Sequence, residues 1–438
     1  MSDLSTQLRA CGVVGAGGAG FPAYVKAESR VEFVLANGAE CEPLLHKDYE
    51  IMKAYPAEIV GGMRRMMEST GAGRGKFGIK EKNAKAVEAI QREVGDAPID
   101  MTLLGDFYPS GDEYELVYWA TGRLIPPAGI PLQVGCVVSN VETLYNVDLA
   151  ARGEAVTRKF LSVAGAVLTP KAFWVPVGTT LREVIELAGG ASVEEYAVFV
   201  SGLMMGTLSH SLDDVITKTT GGLILLPRDH YLVTRRDRTP ESMRRIGKSA
   251  CDQCSYCTEF CPRYLLGYDV QPHKVMRSLG FTASGKDLWN QSAELCCACG
   301  LCTLYACPED LYPKEACDES KHDMRAAGIK FVQQKPVRVH PMKDGRRVPL
   351  AMLRKRLKVE QYESPTPFEE VAFEPASVRI PLKQHAGKAA LPIVKEGKKV
   401  KRGDTIGKAR EGELGADVHA SISGKVTRVS GEEVEISA

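Results

Sequence analysis

The first 150 residues alternate short β-branched apolar runs with longer stretches in which apolar positions recur every three to four residues. Runs at 31–35 and 134–138 read as strands, and stretches at 49–68 and 80–94 read as helices. Glycine-rich turns separate them, so the pattern predicts an α/β domain over residues 1–155. Shorter elements follow at 156–240: strands at 161–167 and 173–177, a helix at 180–188 stopped by Gly189 and Gly190, then strands at 196–200 and 223–226. These predict a compact α+β unit. Residues 241–330 are rich in cysteine, and 331–376 form a basic connector with a helix at 350–359 and a three-proline linker at 364–375. Short β runs between glycine turns predict an all-β module at 377–438.

Composition narrows the class. The chain has 438 residues, 44% hydrophobic and 25% charged, enough apolar material for several cores and far from the composition of a disordered chain. The net charge of +1 gives no support for nucleic acid as a partner, and no apolar run approaches the roughly 18–20 residues that span a bilayer. The first 14 residues have one basic side chain, Arg9, and no sustained apolar stretch, so no secretory leader is expected and the cytoplasm is the expected compartment. Residues 318–363 carry 12 Lys and Arg against 6 Asp and Glu, which reads as a solvated or interdomain face, with an acidic partner as the alternative.

Eight of the 13 cysteines fall in two tight runs, which favours metal over disulfides in a large chain without an export signal. The first run is Cys251-x2-Cys254-x2-Cys257-x3-Cys261-Pro262, the spacing of bacterial ferredoxins. The second is Cys296-x2-Cys299-x2-Cys302-x4-Cys307-Pro308, with one extra residue before its last cysteine and Cys297 beside its first. Zinc also takes four cysteines, but usually from paired CxxC knuckles, so two CxxCxxC runs each closed by Cys-Pro point to two 4Fe-4S clusters. In two-cluster ferredoxins the fourth cysteine of each run serves the other cluster. Cys251, Cys254 and Cys257 would then share one cluster with Cys307, while Cys261 joins Cys296, Cys299 and Cys302. Cys11, Cys41, Cys136, Cys297 and Cys317 fall outside the ligand pattern and read as small core residues.

Gly15-Ala-Gly-Gly-Ala-Gly20 matches GxGxxG, where absent side chains let backbone N–H groups approach a phosphate. No strand precedes it, so the ordinary dinucleotide βαβ unit is poorly supported. The longer string GAGGAGFPAYVK at 15–26 resembles the FMN loop of the complex I flavoprotein subunit and of the related Rnf electron-transfer protein. Three further segments resemble that family in order: NGAECEP at 37–43, YPSGDE at 108–113 and VSNVETL at 138–144. The resemblance implies a Rossmann-like FMN- and NADH-binding domain. By it, Gly15, Gly17, Gly18, Gly20 and Lys26 hold the FMN phosphate side, and Asn37, Glu40, Gly111, Asp112, Asn140 and Thr143 line the remainder. Glu42 and Glu113 would lie toward the nicotinamide nucleotide. Ala39 stands where the complex I protein has an acidic residue, and Asp112 where it has glutamate.

Residues 160–190 and the string GLMMG at 202–206 resemble the soluble-ligand-binding β-grasp domain that follows the flavin domain in this family. Met204 and Met205 in that string also read as core residues. Residues 394–404 and 418–426 resemble the halves of a biotinyl- or lipoyl-type barrel-sandwich, with no lysine at a carrier position between them. The Rnf proteins carry this sandwich first, whereas here it comes last, an order that resembles the cobalamin reductases of propanediol-utilisation microcompartments. The expected architecture is thus multidomain α/β: FMN domain, β-grasp domain, two-cluster ferredoxin-like helical segment and all-β barrel-sandwich. The family implies an oxidoreductase passing electrons from NADH through FMN and two 4Fe-4S clusters to cobalamin, recycling it for a diol dehydratase. It further implies a microcompartment location, with a corrinoid-processing enzyme or a shell protein as partner. No catalytic side chain is assigned, no DxHxxG corrinoid signature occurs, and none of the eight histidines is assigned as an axial ligand. The alternative is an electron conduit of an Rnf-like or shell-associated complex, without substrate turnover of its own.

Overall fold

A computed structural model describes residues 3–281 and 290–438. After helices α1 (Asp3–Ala10) and α2 (Ala23–Ala27), the chain enters strand β1 (Phe33–Gly38). Helices α3 (Lys47–Ala54) and α4 (Pro56–Thr70), strand β2 (Arg74–Lys80), helix α5 (Ala84–Val94) and strand β3 (Ile99–Leu104) follow. The unit ends with the two-residue strand β4 (Phe107–Tyr108), helix α6 (Glu113–Thr121), strand β5 (Cys136–Asn140) and helix α7 (Val141–Ala151). The stretch 49–68, expected as one helix, is two, because Pro56 cannot continue α3 and instead opens α4. The stretch 80–94 is a strand end followed by a shorter helix beginning at Ala84.

The main sheet has the order β3-β2-β1-β5, with every pairing parallel. Both faces are buried, as a parallel sheet requires. Val34, Ala36, Phe77 and Val137 pack with residues of α3, α4 and α7, such as Ile51, Met63 and Leu144. Leu35 and Val138 pack with Leu116 and Val117 of α6 and with Leu266, Tyr268 and Val270 of the cysteine-rich segment. The cysteine segment therefore sits against the second face of this sheet.

The second unit is a five-stranded sheet, β7-β6-β10-β8-β9, built from β6 (Arg158–Gly165), β7 (Lys171–Pro176), β8 (Tyr196–Val200), β9 (Thr207–Ser209) and β10 (Gly222–Pro227). Only the β6–β10 pair is parallel. Helix α8 (Leu181–Leu187) begins at a capping box in which Thr180 Oγ1 accepts from Glu183 N and Glu183 Oε2 accepts from Thr180 N. At the C-terminus, strands of two small antiparallel sheets close around one core that includes Ile380, Val400, Ile406, Val426 and Ile436.

The basic connector packs between domains, the interdomain side of its sequence reading. Lys343 is buried against Glu115 at 2.8 Å, Arg356 meets Asp310 at 2.7 Å, and the Arg347 guanidinium lies 4.3 Å from the Trp119 ring centre. Val348–Pro349 pairs with β4. The three-proline stretch is no free linker: Pro367 O and Glu369 N bond to Ala172, and the Phe368 ring packs against Tyr55 and Phe160. The Phe368 ring supplies the reason, since its packing fixes the chain around it. Among the described residues, no helix is long and apolar enough to cross a membrane.

Candidate functional site

In the main sheet, strands β2 and β3 extend from one side of β1 while β5 lies on the other. Connections thus leave in opposite directions at β1 and β5, and such a switch point opens a crevice beyond the strands' carboxyl ends. Asn37 and Asn140 are register partners at that edge. Asn37 Nδ2 donates to Gly111 O at 2.9 Å, and Asn140 Oδ1 caps α7 by accepting from Glu142 N at 3.0 Å. Asp112 caps α6, accepting from Tyr114 N at 3.0 Å. A Cβ on Gly111 would lie 2.8 Å from Ala39 O, so this loop tolerates no side chain at 111.

The glycine loop folds over the same edge. Val14 and Pro22 bridge its ends, Ala16 N donates to Thr143 Oγ1 at 2.9 Å, and a Cβ on Gly17 would meet Asn140 Cβ at 3.4 Å. Lys26 Nζ donates to Val138 O at 2.6 Å; burial pushes its pKa down while Glu113 opposes the shift. Lys26, Asn37, Gly111, Asp112, Glu113, Asn140 and Thr143 are thus collected at one sheet edge. Glu40 lies just behind it, accepting from Asp48 N at 3.0 Å, and burial pushes its carboxyl up to about 7. Glu42 is committed elsewhere. It accepts from Met204 N and Met205 N at 3.0 and 2.8 Å, joining β1's exit to the second sheet's loop. Met204 is buried in the core, whereas Met205 is exposed.

Beneath the glycine loop lies a buried charge network that the sequence did not signal. Glu142 accepts from Lys159 at 2.6 Å and Lys47 at 3.1 Å; Lys47 also bonds Asp48, which accepts from Asn140 at 2.8 Å. Lys159 reaches Ala16 O at 3.3 Å. Two ammonium groups against two carboxylates compensate one another, the condition under which buried charge is tolerated. Glu142 fell inside the segment read as flavin-binding, but nothing in its spacing pointed to Lys47 or Lys159, which come from distant elements.

The cysteine runs form two neighbouring groups. Cys251, Cys254, Cys257 and Cys307 line one cavity, together with His273, Met276 and Leu311. Cys254 is exposed and Cys257 buried; burial, with Cys307 and Cys251 beside it, pushes the Cys257 thiol up to about 12. In the second group, Cys261 is close to Cys297 and Cys296, and Cys302 is close to Cys296 and Cys261. The backbone repeats between the runs. Gln253 and Ser255, two and four residues after Cys251, have positive φ, as do Ala298 and Gly300 after Cys296. The extra residue before Cys307 is absorbed by a π-helical turn, Cys302–Ala306, the usual way a helix accommodates an insertion. Among the described residues, no three His, Cys, Asp or Glu side chains are grouped to hold a single metal ion. The thiols of the first group instead line one cavity, as the donor set of a polynuclear cluster must. Thiols this buried need a positive core to become the thiolates that bind metal.

Four family models match in order: the Nuo51 FMN-binding domain at 8–149, an SLBB domain at 160–208, a 4Fe-4S dicluster domain at 250–312 and the RnfC barrel-sandwich hybrid domain at 359–437. Cobalamin reductase PduS of Salmonella typhimurium is 38% identical over 436 residues, covering 99% of this chain and 96% of that protein. The chain belongs to the PduS family. PduS of Citrobacter freundii is 37% identical over 435 residues, with the same coverage. A component of the proton-translocating ferredoxin:NAD(+) oxidoreductase complex of Clostridium ljungdahlii is 32% identical over 264 residues, 59% of this chain and 55% of that protein.

In this PduS-family chain the FMN-binding domain and the dicluster domain share a buried face, which several hydrogen bonds cross. Tyr108 Oη donates to Cys299 O at 2.7 Å, and Arg263 Nη2 donates to Asp112 Oδ2 at 2.8 Å. The barrel-sandwich domain reaches the glycine loop directly. Ala386 N donates to Gly20 O at 3.0 Å, while Lys218 Nζ ties Gly12 O to Asp417 O.

Proposed function

We propose that this chain is an NADH-dependent cobalamin reductase carrying electrons from FMN through two 4Fe-4S clusters. The observation that carries the reading is that the Tyr108–Cys299 and Arg263–Asp112 hydrogen bonds join the crevice at β1 and β5 to the segment holding the second thiol group. FMN, when bound, accepts a hydride as an electron pair and releases electrons singly, the conversion needed between NADH and iron–sulfur centres.

The crevice residues divide the work. Backbone N–H groups of the loop containing Gly15, Gly17, Gly18 and Gly20, with Lys26, offer positive character to the phosphate. Asn37, Glu40, Gly111, Asp112, Asn140 and Thr143 fix the shape of the edge. Glu113, exposed beside Lys26, would lie toward the nicotinamide nucleotide, whereas Glu42 is held by Met204 N and Met205 N. In this reading the first domain, residues 1–155, is Rossmann-like, 156–240 is a β-grasp unit and 241–330 is ferredoxin-like. The connector 331–376 and the barrel-sandwich 377–438 then hold these parts together.

The ligand sets we assign are Cys251, Cys254, Cys257 and Cys307 for the first cluster, and Cys261, Cys296, Cys299 and Cys302 for the second. The shared cavity supports the first set, and the left-handed residues repeated after Cys251 and Cys296 support the register of the second. The second group lies next to the crevice, and the first has the exposed Cys254. Electrons would therefore enter at the second and leave at the first. The acceptor is cobalamin, by the names of the full-length relatives, and the setting is a propanediol-utilisation microcompartment, where a corrinoid-processing enzyme or a shell protein would be the partner.

The test is anaerobic reconstitution of the full chain with iron, sulfide and FMN, followed by NADH titration under EPR and visible absorbance and then addition of cob(III)alamin. Reduction of flavin and clusters by NADH, and their reoxidation by the corrinoid, is expected. If NADH reduces neither centre, the entry route is wrong; if reduced protein leaves the corrinoid untouched, the acceptor is wrong.

A further inference from the structure

Arg263 follows Cys261 and Pro262 immediately and is 7% exposed, an unusual depth for a guanidinium. Three groups surround it. Its Nη2 donates to Asp112 Oδ2 at 2.8 Å, its Cζ lies 3.2 Å from the centre of the Tyr114 ring, and the Cys297 thiol lies beside it. Asp112 and Tyr114 belong to the crevice side, while Cys297 belongs to the thiol group on the other. The nearby carboxylate Glu115 is engaged by Lys343, so Asp112 is the counter-charge in direct contact. Arg263 Nε has no hydrogen-bond partner among the described residues.

A core ion pair of this kind is not needed for stability, since replacing one by apolar packing is often neutral or favourable. Its placement is what stands out: a fixed charge between a crevice and a cluster, inside a medium where charges act strongly. We infer that Arg263 is a positioning residue that sets the reduction potential of the second cluster, with Asp112 as its opposing charge. This rests on the cluster assignment given above.

Reduction adds one electron to the oxidised cluster and lowers its charge by one, with no bond made or broken; in turnover the electron comes from NADH by way of the flavin. A guanidinium beside the cluster stabilises the reduced form and draws the electron forward, and Asp112 moderates the effect. Arginine suits the task because it stays charged and its planar fork lies against Asp112, Cys297 and the Tyr114 face at once.

The test is a mediator-based electrochemical titration, followed by EPR, of the anaerobically reconstituted full chain in wild-type, Arg263→Lys, Arg263→Gln and Asp112→Asn forms. Iron and FMN contents are measured for each. The potential absent from Cys299→Ser identifies the second cluster. Arg263→Gln should shift that potential negative, Asp112→Asn should shift it positive, and Arg263→Lys should restore most of the wild-type value, the other cluster staying in place. Shifts of the same sign in Arg263→Gln and Asp112→Asn, or no shift with both clusters loaded, would overturn the inference. If Arg263→Gln does not assemble the second cluster, Asp112→Asn decides by the same criterion. Because mediators deliver the electrons, the result does not depend on NADH, and failure of the wild-type NADH reaction is read separately.

Discussion

Tyr108 donates its hydroxyl proton to the carbonyl of Cys299 at 2.7 Å, across 191 residues of sequence. One end of this bond lies just before the Gly111 loop of the crevice, and the other lies within the second cysteine run. Both residues are buried. Tyr108→Phe keeps the ring and leaves the carbonyl unsatisfied, which typically costs about 1–3 kcal/mol. The expected outcome is faster loss of the second cluster under a chelator, with the first lost at the wild-type rate. Iron release followed by absorbance and EPR checks it, and equal loss of both clusters would count against the link.

The Glu42 carboxyl is pushed up to about 7 by burial, against hydrogen bonds from Met204 N and Met205 N and the charge of Arg236. Between the ordinary carboxyl range and about 7, the folded chain holds a proton that the unfolded chain has released. This contribution is therefore present at low pH and lost as pH rises through about 7, on the order of 3 kcal/mol. Glu40 titrates in the same window for the same first cause, burial. Glu42→Gln should raise the stability at pH 8 relative to that at pH 5, by an amount on the order of 3 kcal/mol. Urea midpoints at the two pH values measure it, and an unchanged difference would mean that Glu42 does not titrate there.

Much of this arrangement was legible in the sequence, and the reasons differ by element. The gathering of Cys251, Cys254 and Cys257 around one cavity could be read because cysteines at fixed steps on one loop face the same space. Strand 196–200 emerged because an apolar run between turns has few other readings. The Lys47–Glu142–Lys159 network was invisible, since its members lie on α3, α7 and β6 and only the tertiary fold unites them. Arg263 was likewise passed over as an ordinary residue after Cys-Pro, and Phe368 sat in a stretch whose prolines read as linker. In each case a single buried contact outweighs the local composition.

Gly20 has φ +63°, and a Cβ there would lie 3.0 Å from both His385 Cα and Thr219 Cγ2. Gly20→Ala therefore combines left-handed strain, roughly 1–2 kcal/mol, with a clash against the backbone of the barrel-sandwich. The expected outcome is partial release of residues 377–438, seen as faster limited proteolysis in the connector, together with weaker FMN retention by fluorescence titration. Weaker FMN binding with unchanged proteolysis would show that the loop, and not the docked module, is what the flavin requires.

The register of the second run turns on adjacent thiols. Cys296 has positive-φ residues at the same offsets as Cys251, and its sulfur accepts from Ala298 N at 3.3 Å. Cys297 instead lies beside Cys299 and Arg263, a place that also suits a ligand. Backbone geometry is the stronger guide, because the loop must wrap the cluster before any side chain reaches it. Cys296→Ala should therefore lose the second cluster, whereas Cys297→Ala should keep both and alter only the second cluster's potential. The crossed fourth ligands give an independent check. Cys307→Ser should remove the first cluster although it stands in the second run, and Cys261→Ser should remove the second. EPR and iron content of the four variants decide both points. Loss of the second cluster in Cys297→Ala, with Cys296→Ala intact, would reverse the register, and Cys317, which hydrogen-bonds Cys296, would then pair with a non-ligand thiol.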